Sequence, residues 1–259
     1  MACMQLQMPV DLARAYKSPS QRSRVITEGW GRYNLYCPSC NSVKLGTSAA
    51  NTRVVDFVCP SCAAAFQLKS QAHAFSRRIV DSAYGPMRQA IEKSQTPHFL
   101  ILHYSPQLWR VLNLTLIPSF ALTISCLEKR KPLALTARRS GWVGCNILLF
   151  KIPLDARIAL VSDGSPVNPM SVRRQFNKLR PLERVPQENR GWTLDVLNII
   201  RSLNKRQFDL DEIYLRSDEL RELHPRNFHV REKIRQQLQR LRDMGLVEFL
   251  GGGRYLAKS

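Results

Sequence analysis

The tetrapeptide Cys-Pro-Ser-Cys occurs twice, at Cys37–Cys40 and Cys59–Cys62, with eighteen residues between the pairs. A CxxC turn lets two thiolates reach one ion, and two such turns complete a tetrahedral four-sulfur shell of the kind zinc prefers. The polypeptide on both sides of this span must therefore return to one point in space. Disulfide exchange needs one reactive CxxC rather than a matched pair, and a four-cysteine shell leaves no open position for catalysis. The reading is a structural Zn2+ held by Cys37, Cys40, Cys59 and Cys62. Of the remaining three cysteines, Cys3 is a chain-end residue, and Cys126 and Cys145 read as small buried apolar side chains. A chain of 259 residues needs no disulfide staples, and a reducing, cytoplasmic setting is expected.

The second CPSC lies inside VVDFVCPSCAAAFQLKS, residues 54–70. If it is the turn of an antiparallel hairpin centred between Pro60 and Ser61, Asp56 falls opposite Ala65. Alternation then puts Asp56, Gln67 and Lys69 on one face. Asp56 and Gln67 become diagonal neighbours roughly 7–8 Å apart, able to reach one small cation between them. Asp, then an acid or its relative, one spacer and Lys is the pattern of PD-(D/E)xK nucleases. There a carboxylate, a second oxygen and a backbone carbonyl hold Mg2+ beside a scissile phosphate, and the lysine stabilises developing negative charge. In this chain those groups are Asp56, Gln67, the Leu68 carbonyl and Lys69. The pattern is short enough to arise by chance, and gains weight only from the zinc turn and a basic surrounding. Gln67 stands where the motif has an acid, which leaves open a working amide variant or a site that binds DNA with little cleavage. Glu28 reads as a solvated acid, with a supplementary metal role as its alternative.

Net charge is +19, and it is unevenly placed. Residues 1–189 carry 25 Lys/Arg against 10 Asp/Glu, a surplus of 15, and residues 190–259 carry 14 against 10, a surplus of 4. Such an imbalance favours a polyanionic partner. No apolar run approaches the ~18 residues of a membrane span, and the N-terminus lacks the basic start and apolar core of an export signal. Neither a membrane partner nor a small-molecule cofactor is expected.

Ser18-Pro19 opens a helix, and short strands follow in VVDFVC, AAFQLK, HFLILHYS, WRVLNLTL, NILLFKIP and RIALVSDG. Between them, residues 75–94 space Ile79, Ala83, Met87 and Ile91 as one helix. This gives a mixed α/β (α+β) domain over 1–175, and the polar, proline-containing stretch 176–189 reads as a linker. Over 190–259 three helices are followed by two short strands around a glycine turn, the order of a winged helix. In the third helix Ile234, Leu238 and Leu241 form the buried stripe, and Gly245 closes it. His229, Lys233, Gln236 and Arg240 then face outward, where Gln suits an adenine edge and Arg a guanine edge or a phosphate; Arg254 lies on the wing. Many winged helices bind protein instead, so a protein–protein module is the alternative.

A further basic stretch, KRKPLALTARRSGWVGCN, sets Arg138 and Arg139 beside Trp142. Cations with an aromatic suit an element inserted into DNA, against the plainer reading of a basic loop with a core tryptophan.

Taken together, SQRSRVITEGW, the two CPSC pairs, Asp56…Gln67-x-Lys69, KPLALTARRSGWVGCNI, RGWTLDVLN and REKIRQQLQRLRDMGLVEF resemble the DpnI and Dam-replacing family of restriction endonucleases, over nearly the whole chain. The resemblance implies a PD-(D/E)xK nuclease domain with an inserted zinc site, followed by a winged helix that also reads the target. It implies Mg2+-dependent cleavage of double-stranded DNA at GATC carrying N6-methyladenine. It assigns catalysis to Asp56, Gln67 and Lys69, the family having glutamate where this chain has Gln67. Methyl dependence does not follow from residue chemistry, although Trp142 could supply an apolar wall. The competing reading is a DNA-binding regulator or methyl-DNA reader whose nuclease site has decayed. A monomer is expected.

Overall fold

The computed structural model describes residues 4–48, 54–74 and 77–258, so Cys3 lies outside the described residues. The chain forms two compact units: Met1–Phe75 with Pro97–Ser119 and Arg157–Asn177, and Ser76–Thr96 with Phe120–Ala156 and Lys178–Ser259.

The first unit opens with α1 (Pro19–Asn34), started by Pro19 at its first position as expected. Three strands follow: β1 (Gly46–Thr47), β2 (Phe57–Val58) and β3 (Ala65–Gln71). β4 (Arg78–Ala83) and α2 (Tyr84–Glu92) belong to the second unit. The first unit resumes with β5 (His98–Ser105) and β6 (Arg110–Ile117). After β7 (Leu127–Lys129) and β8 (Gly144–Leu148) of the second unit it adds β9 (Ile158–Ser162), β10 (Ser165–Pro166) and α3 (Pro169–Leu179). Its seven strands are ordered β1-β2-β3-β5-β6-β9-β10, with β3 and β5 parallel and every other pair antiparallel. β5 reads as a run of apolar residues because both its faces are covered: Phe99, Leu100, Ile101 and Leu102 are all buried. α1 lies against β3, where Thr27 Oγ1 is 3.2 Å from Ser70 Oγ.

In the second unit β4, β8 and β7 form an antiparallel sheet in that order. The single helix expected over 75–94 is not formed. β4 pairs with β8, and only Tyr84–Glu92 is helical. Ile79 and Val80 are β-branched and satisfy a strand ladder, while Pro86 is tolerated only in a first turn and so pins the helix start near it. The expected linker is also helical: α3, a 3-10 turn at Arg180–Arg184 and the start of α4 (Gln187–Ser202) occupy it. Its sequence signal was Val172, Phe176 and Leu179 at intervals of four and three, all buried.

The C-terminal residues continue with β11 (Gln207–Asp209), α5 (Leu210–Tyr214), α6 (Ser217–Leu223), α7 (Val230–Asp243), β12 (Val247–Gly251) and β13 (Arg254–Ala257). The strands pair in the order β11-β13-β12, completing the helix–helix–helix–wing arrangement. The expected second helix breaks at Leu215–Arg216 into α5 and α6. Ile234, Leu238 and Leu241 are buried, as their spacing requires. Gly245 follows the α7 C-cap Met244 at φ +70°, its N–H bonding Arg242 and the Leu246 N–H bonding Leu241. This is the 5→2 and 6→1 pair of a Schellman motif, which needs a left-handed residue where Gly245 stands.

Candidate active site and nucleic-acid interface

The hairpin carrying the second CPSC forms, with a register two residues from the expected one. Phe57 pairs Phe66 and Val58 pairs Ala65, and Cys59 and Ala64 close the turn through a Cys59 N–H···O Ala64 bond of 2.9 Å. Sliding by two keeps every side chain on its face, so the face assignment survives while the partner of Asp56 changes. The cause is a four-residue turn, Pro60–Ala63, with Ala63 at φ +58° and its N–H bonded to the Cys59 carbonyl. The Asp56 N–H donates to the Phe66 carbonyl at 2.9 Å, and the Asp56 Oδ2 accepts the Leu68 N–H at 2.7 Å. Asp56 is therefore anchored at both ends directly beside Gln67, closer than the diagonal placement expected from sequence.

β2 is only two residues long, so beyond Phe57 the edge of β3 has no strand neighbour on that side among the described residues. The Leu68 N–H points to this open edge, and in a strand the carbonyl of the same residue points the same way. Gln67 and Lys69 are half-buried on the other parity of β3 from Phe66. The Gln67 Oε1 is buried and has no hydrogen-bond partner among the described residues. A buried carbonyl oxygen without a donor costs on the order of 1–3 kcal/mol, and a bound cation is one remedy. The donor set is Asp56 carboxylate, Gln67 amide oxygen and Leu68 carbonyl. It is all oxygen and fits a hard divalent cation such as Mg2+. Lys69 Nζ lies 5.9 Å from the Phe99 ring centroid. On α1, Glu28 is ion-paired with Arg24 at 2.6 Å, and the Arg24 pKa is raised by that hydrogen bond, by the Glu28 charge and, in part, by Asp56. Glu28 is thus a paired surface acid, one residue from the Thr27 contact with β3.

The four cysteines converge. Their sulfurs lie within 4.8 Å of one another, with Cys37–Cys62 at 3.6 Å and Cys40–Cys59 at 3.5 Å. Tetrahedral ligation at ~2.3 Å places sulfurs about 3.8 Å apart, so the cluster fits a structural zinc. Burial pushes the Cys37 and Cys62 thiols up. Burial also opposes ionisation of Cys59, but the Cys62 and Ser61 N–H groups outweigh it and bring that thiol down to about 6. The protein alone stabilises the Cys59 thiolate, whereas Cys37 and Cys62 would need a cation to ionise beside it. Sequence reasoning missed the residue that braces the cluster. Arg173 on α3 is buried and donates Nε to the Cys37 and Cys40 carbonyls (3.2 and 2.9 Å) and Nη2 to the Ser42 carbonyl (3.2 Å). It falls in the helix whose periodicity was overlooked.

His229, the N-cap of α7, and Gln236 on it are exposed, while Lys233 and Arg240 are half-buried and partly engaged. Lys233 Nζ donates to Asn189 Oδ1 at 2.6 Å, and Arg240 Nη1 to Gln237 Oε1 and Thr193 Oγ1 at 2.8 and 3.2 Å. Thr193 and Gln237 are fully buried, so this contact holds α4 to α7. Arg254 is exposed on the wing. Phe228, just before α7, is 88% exposed and lines a shallow hollow with His229, Lys233 and Gln236. Its signal was a lone phenylalanine between Asn227 and His229, outside any apolar period. In the basic loop, Arg138 and Arg139 are exposed and the Arg139 guanidinium lies 5.0 Å from the Trp142 ring. A Cβ on Gly144 would meet that indole at 2.7 Å, so the ring lies directly over the glycine backbone. Trp142 is half-buried between the two, neither wholly core nor fully presented. Leu135, in the same loop, is 92% exposed.

Two family models match. The Dam-replacing family (DpnI) model covers residues 4–185, and the Dam-replacing HTH domain model covers residues 188–257. The chain belongs to the DpnI (Dam-replacing) family. The DpnI family is a family of restriction endonucleases, which implies methyl-directed DNA cleavage in general, and family and helix-turn-helix domain together imply DNA binding. No described helix is long and apolar enough to cross a membrane.

Proposed function

We propose that this chain is a Mg2+-dependent restriction endonuclease with a PD-(D/E)xK site that hydrolyses double-stranded DNA at GATC carrying N6-methyladenine. The observation that carries the catalytic part is the buried, partnerless Gln67 Oε1 beside an Asp56 carboxylate fixed by the Leu68 N–H. Asp56, Gln67 and the Leu68 carbonyl would hold the cation, which when bound neutralises phosphate charge and lowers the pKa of a water. Asp56 is oriented before substrate arrives, because one carboxylate oxygen is already committed to the backbone. Lys69, on the face of Gln67, supplies a positive charge for the phosphate as negative charge builds in the transition state. Gln67 contributes a ligand oxygen without a charge, so cation affinity is set lower than a glutamate would set it. The GATC and methyl preference rests on family membership, with Phe228, Gln236 and Trp142 as the groups suited to base edges and methyls. Zinc, in turn, fits the four-cysteine cluster as a structural ion.

The test uses one plasmid prepared from Dam-positive and Dam-negative hosts, incubated with the protein and Mg2+. Discrete GATC-spaced fragments from the methylated plasmid alone are expected, and Asp56→Ala abolishes cleavage while DNA binding persists. Gln67→Glu lowers the Mg2+ concentration needed for half-maximal cutting. Wild type and Asp56→Ala behaving alike in every assay, with Mn2+ also tried, sinks the enzymatic reading in favour of a DNA-binding regulator.

A further inference from the structure

We infer that the face of α3 beside the zinc loops is a phosphodiester-binding site for the DNA duplex, separate from the residues that hold the cation. An open pocket of about 510 Å3 lies there, lined by Ser39, Asn41, Met170, Arg173, Arg174 and Asn177. Met170, Arg174 and Asn177 stand at i, i+4 and i+7 on α3, so they present one strip of the helix. The pocket includes two guanidinium groups, two amides and a hydroxyl; Cys40 of the four-cysteine cluster also lines it, and no carboxylate does. With no carboxylate to answer the two guanidinium groups, and with the Cys40 sulfur committed to the four-cysteine cluster, this donor set suits an anion.

The two arginines do different work. Arg173 is buried and spends Nε and Nη2 on the carbonyls of Cys37, Cys40 and Ser42. Its charge stays at the pocket floor while its geometry is fixed by the zinc loops. Arg174, the next residue, is exposed, and no hydrogen bond or ion pair engages it among the described residues. Ser39 Oγ is buried at the pocket's edge and likewise has no hydrogen-bond partner there. A buried guanidinium fixed by backbone carbonyls, an exposed unengaged one and neutral donors in the same lining suit the oxygens of a phosphate group. The shared chemistry is that of a phosphate group. Duplex DNA is the source assigned, because the same unit carries the candidate nuclease residues and because unit and family both point to DNA. The inference rests on the reading of duplex DNA as substrate.

Under this assignment the zinc does a second job. Bound by Cys37 and Cys40, it would hold the Cys37–Ser42 loop whose carbonyls orient Arg173, and so would couple metal occupancy to backbone grip on DNA. A contact of this kind carries no sequence information, so it should strengthen binding to every duplex equally.

The test is salt-dependent binding of the full-length chain to 30-bp duplexes with methylated or unmethylated GATC, in Mg2+-free buffer, by fluorescence anisotropy. Each lost phosphate contact lowers the slope of log K against log[salt] by about 0.9. Arg174→Ala is expected to lower the slope by that amount and weaken binding roughly threefold to tenfold at low salt, alike for both duplexes. Arg32→Ala, an exposed cation at the end of α1 outside the pocket, is expected to leave the slope unchanged. An unchanged slope in Arg174→Ala overturns the proposal, as does an equal fall in Arg32→Ala, which would mean diffuse charge alone. Equilibrium dialysis with inorganic phosphate separates the sources. Phosphate binding lost in Arg174→Ala with the DNA slope intact reassigns the pocket to a free anion. Absent salt-dependent DNA binding by wild type, the DNA reading and this site fall together. Retained cleavage in Asp56→Ala removes only the catalytic assignment.

Discussion

His98 is a buried titratable group inside the sheet that carries Asp56 and Lys69, and its protonation should cost the fold a calculable amount. It begins β5 in parallel register with Phe66, 7% exposed, between the rings of Phe66 and Phe176 at 5.1 and 5.3 Å. Its Nδ1 accepts the Ser119 N–H at 2.9 Å, which requires that nitrogen to be unprotonated. Burial lowers its pKa from 6.5 to about 4. The unfolded chain therefore takes the proton first as pH falls. The stability associated with neutral His98 is present above pH 6.5, is lost progressively down to pH 4, and then levels off. A gap of about 2.5 units at 1.36 kcal/mol per unit gives about 3 kcal/mol in all. His98→Asn keeps a hydrogen-bond acceptor and removes the titration. Urea unfolding of wild type and variant at pH 7, 6, 5 and 4, followed by tryptophan fluorescence, isolates the term, because groups common to both cancel in the difference. Wild-type stability relative to the variant should drop by about 3 kcal/mol between pH 7 and pH 4. Parallel pH profiles would refute the assignment of His98 as a neutral, desolvated acceptor.

Two other expectations concern the scaffold. Close to one zinc per chain should be found by elemental analysis, and Cys59→Ala should lose it together with cleavage and the order of the 57–66 hairpin; zinc-free protein that stays folded and active contradicts this. Gly245→Ala should cost about 1–2 kcal/mol in urea unfolding, because φ is +70° and nothing lies within 4 Å of the new Cβ, leaving backbone strain as the sole cause.

Much of the candidate site was legible because covalent spacing dictates it. CxxC pairs announce a convergence of four sulfurs, and strand alternation carries Gln67 and Lys69 to the face of Asp56 whatever the register error, provided that error is even. The turn length was not legible, since Ala63 accepts a positive φ that sequence rules reserve for Gly or Asn. The helix pattern at 75–94 misled because Ile79 and Ala83 satisfy both a period of 3.6 and the inward positions of a strand, and pairing with β8 decided between them. On α7 the buried stripe was readable, but Arg240 was assigned outward by angle alone. Its long side chain turns back to Gln237, a buried glutamine that no periodicity argument places in a core.

The chain passes between its two compact units five times, and this bears on how the protein can be made and dissected. β4, β7 and β8 leave the ribosome long before α4–α7, the elements with which they share a unit. The seven-stranded sheet in turn waits for Arg157–Asn177 before it is complete. The second unit therefore cannot be completed before the C-terminal residues emerge, and a cut after residue 175 severs α3 while stranding three strands of the second unit on the wrong piece. Internal loop tips, rather than the two family-model boundaries, are the places where the polypeptide can be opened without orphaning a sheet.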